Sequence, residues 1–92
     1  MDPKFEGGIN IAIKIPKSKY DETVRFYRDI LQLDVSEKPI NIPTVSRTHE
    51  VKFGSNKVWL DCVDNYTHPE TWLELITPDV ARAADYLRSN GN

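Results

Sequence analysis

The stretch between Ile9 and Leu33 constrains the fold most, because its apolar residues change from a strand period to a helix period. Over residues 9–15 the isoleucines occupy every odd position. The even positions hold Asn10, Ala12 and Lys14. Alternation with a period of two is typical of a strand that is covered on one face only. Pro16 is expected to end this strand, since proline lacks the N–H group that a sheet ladder needs.

A helix is predicted to follow the proline. Ser18 can cap its first turn, and Asp21 favours the positive end of the helix dipole. The apolar stripe of this helix has a helical spacing and consists of Tyr20, Val24, Tyr27 and Leu31, widened by Phe26 and Ile30. We therefore predict a strand-helix unit in which the isoleucines lie beneath the stripe. The even-numbered side chains then face the other way, toward whatever the protein binds.

Size and charge narrow the classes of function. A chain of 92 residues is predicted to form one domain spanning residues 1–92, because so short a chain buries only about 60% of its unfolded surface. Twelve basic and fourteen acidic residues give a net charge of -2, which argues against nucleic acid as a partner. The apolar runs are far shorter than the ~20 residues that cross a bilayer, and the first residues do not resemble a secretion signal. We expect a cytoplasmic protein without a membrane partner.

The middle of the chain predicts three more strands. A short strand is expected over residues 33–37 and an irregular connection over 38–47. A hairpin follows, with strands 49–53 and 57–64 and a turn at Gly54-Ser55-Asn56. On its second strand, alternation separates two sets of side chains: Val58, Leu60 and Cys62 on one face, and Trp59, Asp61 and Val63 on the other.

The end of the chain resembles its beginning. After a loop over residues 65–70, residues 71–77 alternate as a strand whose Leu73 and Leu75 can face a helix. Thr77 and Pro78 are expected to open that helix. Its predicted buried stripe is Val80, Ala83, Ala84 and Leu87.

The predicted fold is therefore α+β, with the order β-α-β-β-β-β-α. Residues 9–64 would form one complete βαβββ module, and residues 71–91 would form the first strand and helix of a second module. The last strand would leave an unpaired edge, and a homodimer is the expected way to cover it.

Two segments in this element order resemble the vicinal oxygen chelate superfamily of glyoxalases, bleomycin-resistance proteins and extradiol dioxygenases. They are Asn10-Ile-Ala-Ile-Lys-Ile and Phe26-Tyr-Arg-Asp-Ile-Leu-Gln-Leu33, with Gln32 where glycine is common. The segment from Ile76 to Gly91 is similar to the opening helix of the group's second module. The resemblance implies a groove formed by curled strands of two modules. It leaves the activity open, because this fold hosts lyases, dioxygenases, isomerases and binding proteins.

In that superfamily a divalent metal is held by His, Gln or Glu side chains of the first and last strands of each module. The corresponding positions are Asn10 and Asp61, with Trp72, or Glu74 after a shift of two, in the second module. None of these is histidine, and the strand for a fourth ligand is missing from the sequence. Oxygen ligands alone hold Zn²⁺, Fe²⁺ or Ni²⁺ poorly, so no metal cofactor is expected. If a metal does bind, Asn10, Asp61 and Glu74 of two subunits are the candidate ligands.

The sheet face that carries these candidate ligands could instead bind an organic molecule. If the alternation holds, two indoles and two carboxylates lie together, which suits a flat or cationic organic ligand. The candidate ligand-binding residues are Asn10, Lys14, Trp59, Asp61, Trp72 and Glu74. Two simpler interpretations are that the tryptophans fill the groove or a dimer contact, and that Lys14 pairs with a neighbouring carboxylate. Glu74 could act as a general base if burial raised its pKa, but no catalytic residue is assigned. His49 and His68 are treated as ordinary polar residues.

Three functions stay open from the sequence. The first is a metal-independent, bleomycin-resistance-like protein that binds a small organic molecule, neutral or cationic, in a groove lined by Trp59 and Trp72. The second is a glyoxalase-like or dioxygenase-like metalloenzyme whose divalent metal is shared across a homodimer. The third is a truncated copy without a small-molecule function. Whether the protein is an enzyme is not decided by these residues.

Overall fold

The computed structural model describes residues 2–64 and 70–91, and it confirms an α+β architecture with a five-stranded mixed sheet and two α-helices. The predicted loop over 65–70, apart from Glu70, lies outside the described residues, as does His68. The elements in chain order are β1 (Glu6–Pro16), α1 (Lys17–Arg25) with a π-helical turn (Phe26–Ile30), β2 (Val35–Lys38), β3 (Arg47–Phe53), β4 (Asn56–Val63), β5 (Glu70–Ile76) and α2 (Val80–Ser89).

The sheet has the strand order β2-β3-β4-β1-β5. β1 pairs in parallel with β4 and antiparallel with β5, and the β2-β3 and β3-β4 pairs are antiparallel. A parallel pair needs a crossover connection, and α1 together with the β2-β3 segment supplies it. The hairpin turns where it was predicted, and Gly54 has the positive φ of 62° that favours glycine there. β1 therefore lies between two partner strands, with β5 and β2 at the edges of the sheet.

The hydrophobic core lies between the sheet and α1, as the alternation of β1 predicts. Ile15, Tyr20 and Leu60 are at most 2% exposed. Val58, Leu60 and Cys62 of β4 all belong to this core, whereas Trp59 and Asp61 do not. Ile11 and Ile13 pack against it, but Ile9 is 49% exposed. The orientation of β1 is thus confirmed, and the start of the strand, including Ile9, extends beyond the part that α1 covers.

Tyr20 and His49 form a hydrogen-bonded polar pair inside the protein, next to this core. The Tyr20 hydroxyl is 2.7 Å from the carbonyl oxygen of Leu60 and 2.7 Å from Nδ1 of His49. Because the hydroxyl donates its single proton to the carbonyl, it accepts from Nδ1–H of His49. Nε2 of the same ring is 3.8 Å from Oε1 of Glu37. Burial raises the pKa of Tyr20 and lowers the pKa of His49.

Both helices begin differently from the expectation. α1 begins at Lys17 directly after Pro16, so Ser18 lies inside the first turn instead of capping it. α2 begins at Val80, and its cap is Asp79, whose carboxylate accepts the Arg82 N–H at 3.0 Å. A carboxylate at this position satisfies the third N–H of the helix better than Thr77 can from two residues further away.

The apolar stripes of the helices are also narrower than predicted. Phe26, Ile30 and Leu31 are 44%, 65% and 45% exposed, and they lie in or directly after the π-helical turn, where the regular α-helical spacing is interrupted. Leu73 and Leu75 were expected beneath α2 but are 72% and 63% exposed. Instead, α2 buries Ala83 and places the Tyr86 ring 6.4 Å from the ring of Phe5, while Val80 is 75% exposed.

Neither helix within residues 2–64 and 70–91 has the length and apolar character to cross a membrane.

The buried His49 predicts a dependence of stability on pH. Its pKa is lower in the folded protein than the value of about 6.5 in an unfolded chain. The unfolded state therefore binds more protons below about pH 6.5, and the free energy of unfolding falls as the pH decreases through this window. We expect denaturant titrations of the wild type between about pH 7.5 and pH 5.5 to show this loss. The His49→Gln variant should show a smaller slope, and an equal slope in both proteins would contradict the assignment.

Candidate functional site

The candidate site is the sheet face that points away from α1, which we call the open face. Residues that pair directly across neighbouring strands share a face, so the ladder defines rows across it. The central row contains Ser36, Glu50, Trp59, Ala12 and Trp72. The next row contains Lys38, Thr48, Asp61, Lys14 and Glu70. Asn10, Lys14, Trp59, Asp61 and Trp72 thus all lie on the open face, and Asn10 there binds Glu74.

A hollow lies over part of this face. Its volume is about 290 Å³, and it is a partly open depression between the sheet and the connection from β2 to β3. Its lining residues are Ala12, Thr48, Trp59 and Asp61 from the strands and Pro39, Ile40 and Ile42 from the connection. The irregular segment predicted between the two strands therefore forms the roof of a cavity with one aromatic wall and apolar cover.

Trp59, Asn10 and Glu74 form one hydrogen-bonded chain. The indole Nε1–H of Trp59 donates to Oδ1 of Asn10 at 2.8 Å. The amide group of Asn10 donates to Oε2 of Glu74 at 3.0 Å, and its backbone N–H donates to Oε1 at 3.1 Å. Both functional ends of Asn10 are therefore engaged, and the orientation of the Trp59 ring is fixed by β5 through Asn10.

The Glu74 carboxylate occupies an irregularity of the β1-β5 ladder. The pairing shifts register between Gly7 and Ile11, which is how a bulge appears in a ladder. A Cβ atom on Gly8 would lie 1.9 Å from Oε1 of Glu74, whereas one on Gly7 would have no heavy atom within 4 Å. Gly8 thus leaves the space that the carboxylate fills.

Lys14 and Asp61 form the second polar cluster. Nζ of Lys14 is 2.6 Å from Oδ2 of Asp61, and the Thr48 hydroxyl donates to Oδ1 at 2.6 Å. Nζ also lies 5.7 Å from the centre of the Trp72 ring, a cation–π distance. Lys14 therefore occupies the place that an external cation would take between Asp61 and Trp72.

These contacts show what the two candidate carboxylates bind within the chain. Both predicted carboxylates are already satisfied by the chain itself, Asp61 by Lys14 and Glu74 by Asn10. The hydrogen bonds from Asn10 hold the pKa of Glu74 below its usual range. A general base near neutral pH needs a raised pKa, so the arrangement does not favour Glu74 in that role.

The donor set does not fit the metal that the resemblance implies. Asn10 and Glu74 bind each other, but Asp61 pairs with Lys14, four residues further along β1. Among the residues that the structure describes, no group of three or more His, Cys, Asp and Glu side chains could hold a metal ion. A metal at Asp61 would also have to displace a lysine ammonium group at 2.6 Å.

The sequence analysis missed the contribution of β3 and of the connection before it. Thr48 and Glu50 lie on the open face directly opposite Asp61 and Trp59. Glu50 is only 9% exposed, and its side chain makes no hydrogen bond or ion pair with any part of the described chain. The hairpin turn at Gly54 already fixes this register, so counting back from the turn would have found both residues. The sequence pattern contains no signal that would predict Ile40 and Ile42 to lie over the sheet.

No protein-family model matches this sequence, and the comparison with curated proteins gives no match.

The contact between Gly8 and Glu74 leads to a test with an internal control. Gly8→Ala should expel the Glu74 carboxylate, break its bonds to Asn10 and lower the melting temperature by roughly 5 °C, the scale of a modest loss in a domain of this size. Gly7→Ala, which meets no neighbour, is the matched control. In a Glu74→Ala background the cost of Gly8→Ala should largely disappear, as differential scanning calorimetry can show. A cost that persists in that background would mean that Gly8 is required for another reason.

Proposed function

We propose that this protein binds a small, flat organic molecule without a metal, in the hollow between Trp59 and the β2-β3 connection. The observation that carries the proposal is the hollow itself. Its volume of about 290 Å³ lies at the lower end of the range for ligand pockets, about 300–1,000 Å³, which suits a molecule of one or two rings. An aromatic wall, an apolar roof and a few polar groups are the usual make-up of such a site.

The open face extends the hollow toward Trp72. Ala12 lies between Trp59 and Trp72 in the central row, so the two indoles are two strand spacings apart, about 9–10 Å. The small side chain of Ala12 leaves the floor between them open. A ligand stacked on Trp59 would therefore extend over Ala12, with Trp72 at the outer end of the groove.

We also propose that the chain is a short member of the vicinal oxygen chelate superfamily, in its bleomycin-resistance-like branch. The order β1-α1-β2-β3-β4, followed by a strand and a helix, agrees with one βαβββ module and the start of another. A binding role is favoured over a metalloenzyme because Lys14 already neutralises Asp61 and Asn10 already engages Glu74.

Binding of a neutral flat probe tests this function. Naphthylmethanol should shift the indole N–H signal of Trp59 in NMR spectra more than that of Trp72. Trp59→Leu should weaken its binding by about tenfold, since an aromatic contact contributes about 0.5–1.5 kcal/mol beyond the area it buries. Trp72→Leu, which alters a 54% exposed side chain, should have a smaller effect. Absence of binding, or equal losses in both variants, would contradict a site in the hollow.

We further propose a homodimer formed along β5. In the described part of the chain no strand pairs with the outer edge of β5. Leu73 and Leu75 are exposed on that same strand. An open edge with apolar side chains is a template for pairing with another copy, and two copies related by a twofold axis would satisfy both features at once.

Light scattering during gel filtration tests this dimer. The wild type should elute with twice the mass of one chain, and the Leu73→Lys, Leu75→Lys double variant should elute as a monomer. Ile30→Lys, which adds a charge at a similarly exposed apolar position, is the control and should leave the dimer intact. A monomeric wild type would contradict the proposal.

A further inference from the structure

Glu50 is a buried open-face carboxylate whose side chain has no partner in the described part of the chain. Its side chain lies directly opposite Trp59 in the β3-β4 ladder, so their Cβ atoms are about 5 Å apart. The residue is 9% exposed, and its side chain has neither a hydrogen bond nor an ion pair within residues 2–64 and 70–91. Thr48, two residues away on the same face, lines the hollow.

Glu50 as a whole is buried, but its carboxylate oxygens keep contact with solvent, since they are not among the buried polar atoms that lack a partner. Native proteins normally pair a carboxylate of a largely buried residue with hydrogen bonds or an opposite charge. Two carboxylates of the open face follow that rule: Asp61 pairs with Lys14, and Glu74 accepts hydrogen bonds from Asn10. Glu50, which lies beside Trp59 at the edge of the hollow, does not follow this rule.

Three basic side chains of the sheet pair with carboxylates other than Glu50. Lys14 is held by Asp61 and lies over Trp72. Lys52, on the same face of β3, pairs with Asp34 at 3.4 Å, and Arg47 pairs with Glu37 on the other face. No lysine or arginine of the described residues forms an ion pair with Glu50, so its charge is available to an external group.

We propose that Glu50 determines charge specificity in the hollow, and that the ligand is a flat ring system carrying an ammonium or similar cationic group. This inference rests on the proposed function. The ring lies against Trp59, and the cationic group is directed toward β3, where it pairs with the carboxylate of Glu50. The aromatic face of Trp59 adds a cation–π contribution to the same preference.

Two probes of the same shape separate charge from ring binding. Naphthylmethylammonium should bind the wild type at least about tenfold more tightly than naphthylmethanol, as measured by isothermal titration calorimetry. Glu50→Gln should reduce this preference to about twofold or less and leave the binding of naphthylmethanol nearly unchanged. Glu22→Gln removes the same charge from an exposed side chain on α1 and should keep the preference.

The outcomes distinguish the two proposals. If naphthylmethanol binds but the wild type shows no preference for the ammonium compound, or if Glu50→Gln keeps that preference, the role of Glu50 is wrong and the binding function stands. If neither compound binds the wild type, both proposals fail.

A second measurement needs no ligand. Because the side chain of Glu50 lacks a partner among the described residues, Glu50→Gln should not lower the melting temperature of the unliganded protein, and Glu22→Gln should leave it nearly unchanged. A lower melting temperature for Glu50→Gln would show that the carboxylate has a stabilising partner in the protein, which would overturn the proposal.

Discussion

The whole structure depends on β1 having hydrogen-bonded neighbours on both edges and a hydrophobic cover on one face only. β4 and β5 pair with its two edges, and α1 covers the face that carries Ile15. Because successive side chains of a strand point to opposite faces, this arrangement commits Asn10, Ala12 and Lys14 together to the open face. A shift of one residue would exchange all of them with isoleucines, so the core and the candidate site are fixed by the same register.

On the open face, the chain satisfies most of its own polar groups, and this restricts the chemistry available there. Lys14 neutralises Asp61 and lies over Trp72, so the pair that looked suited to an external cation is already filled. Asn10 links Trp59 to Glu74 and lowers the pKa of that carboxylate. The lowered pKa makes Glu74 a weaker base, whereas acid–base catalysis needs a group whose pKa lies near the working pH.

The sequence predicted the first strand-helix unit and the hairpin well because their apolar periods are long and turn residues separate them. It predicted less of the site for three physical reasons. The pairing of Asp61 with Lys14 depends on which strands are neighbours, which alternation within one strand does not reveal. The roof from Pro39 to Ile42 has no period. Glu74 reaches Asn10 only because of the register shift near Gly8, and a bulge is not visible in a pattern of apolar and polar letters.

The second strand-helix unit differs from the first in a way that connects binding to assembly. α1 buries Tyr20 and Val24 on the sheet, whereas the apolar face of β5 stays open at Leu73 and Leu75. β5 is held by its ladder with β1 and by the Glu74–Asn10 bonds, and those same bonds orient the Trp59 ring. A second copy that covered β5 would therefore stabilise the strand that positions the aromatic wall of the hollow, so assembly along this edge and ligand affinity should be coupled through Asn10.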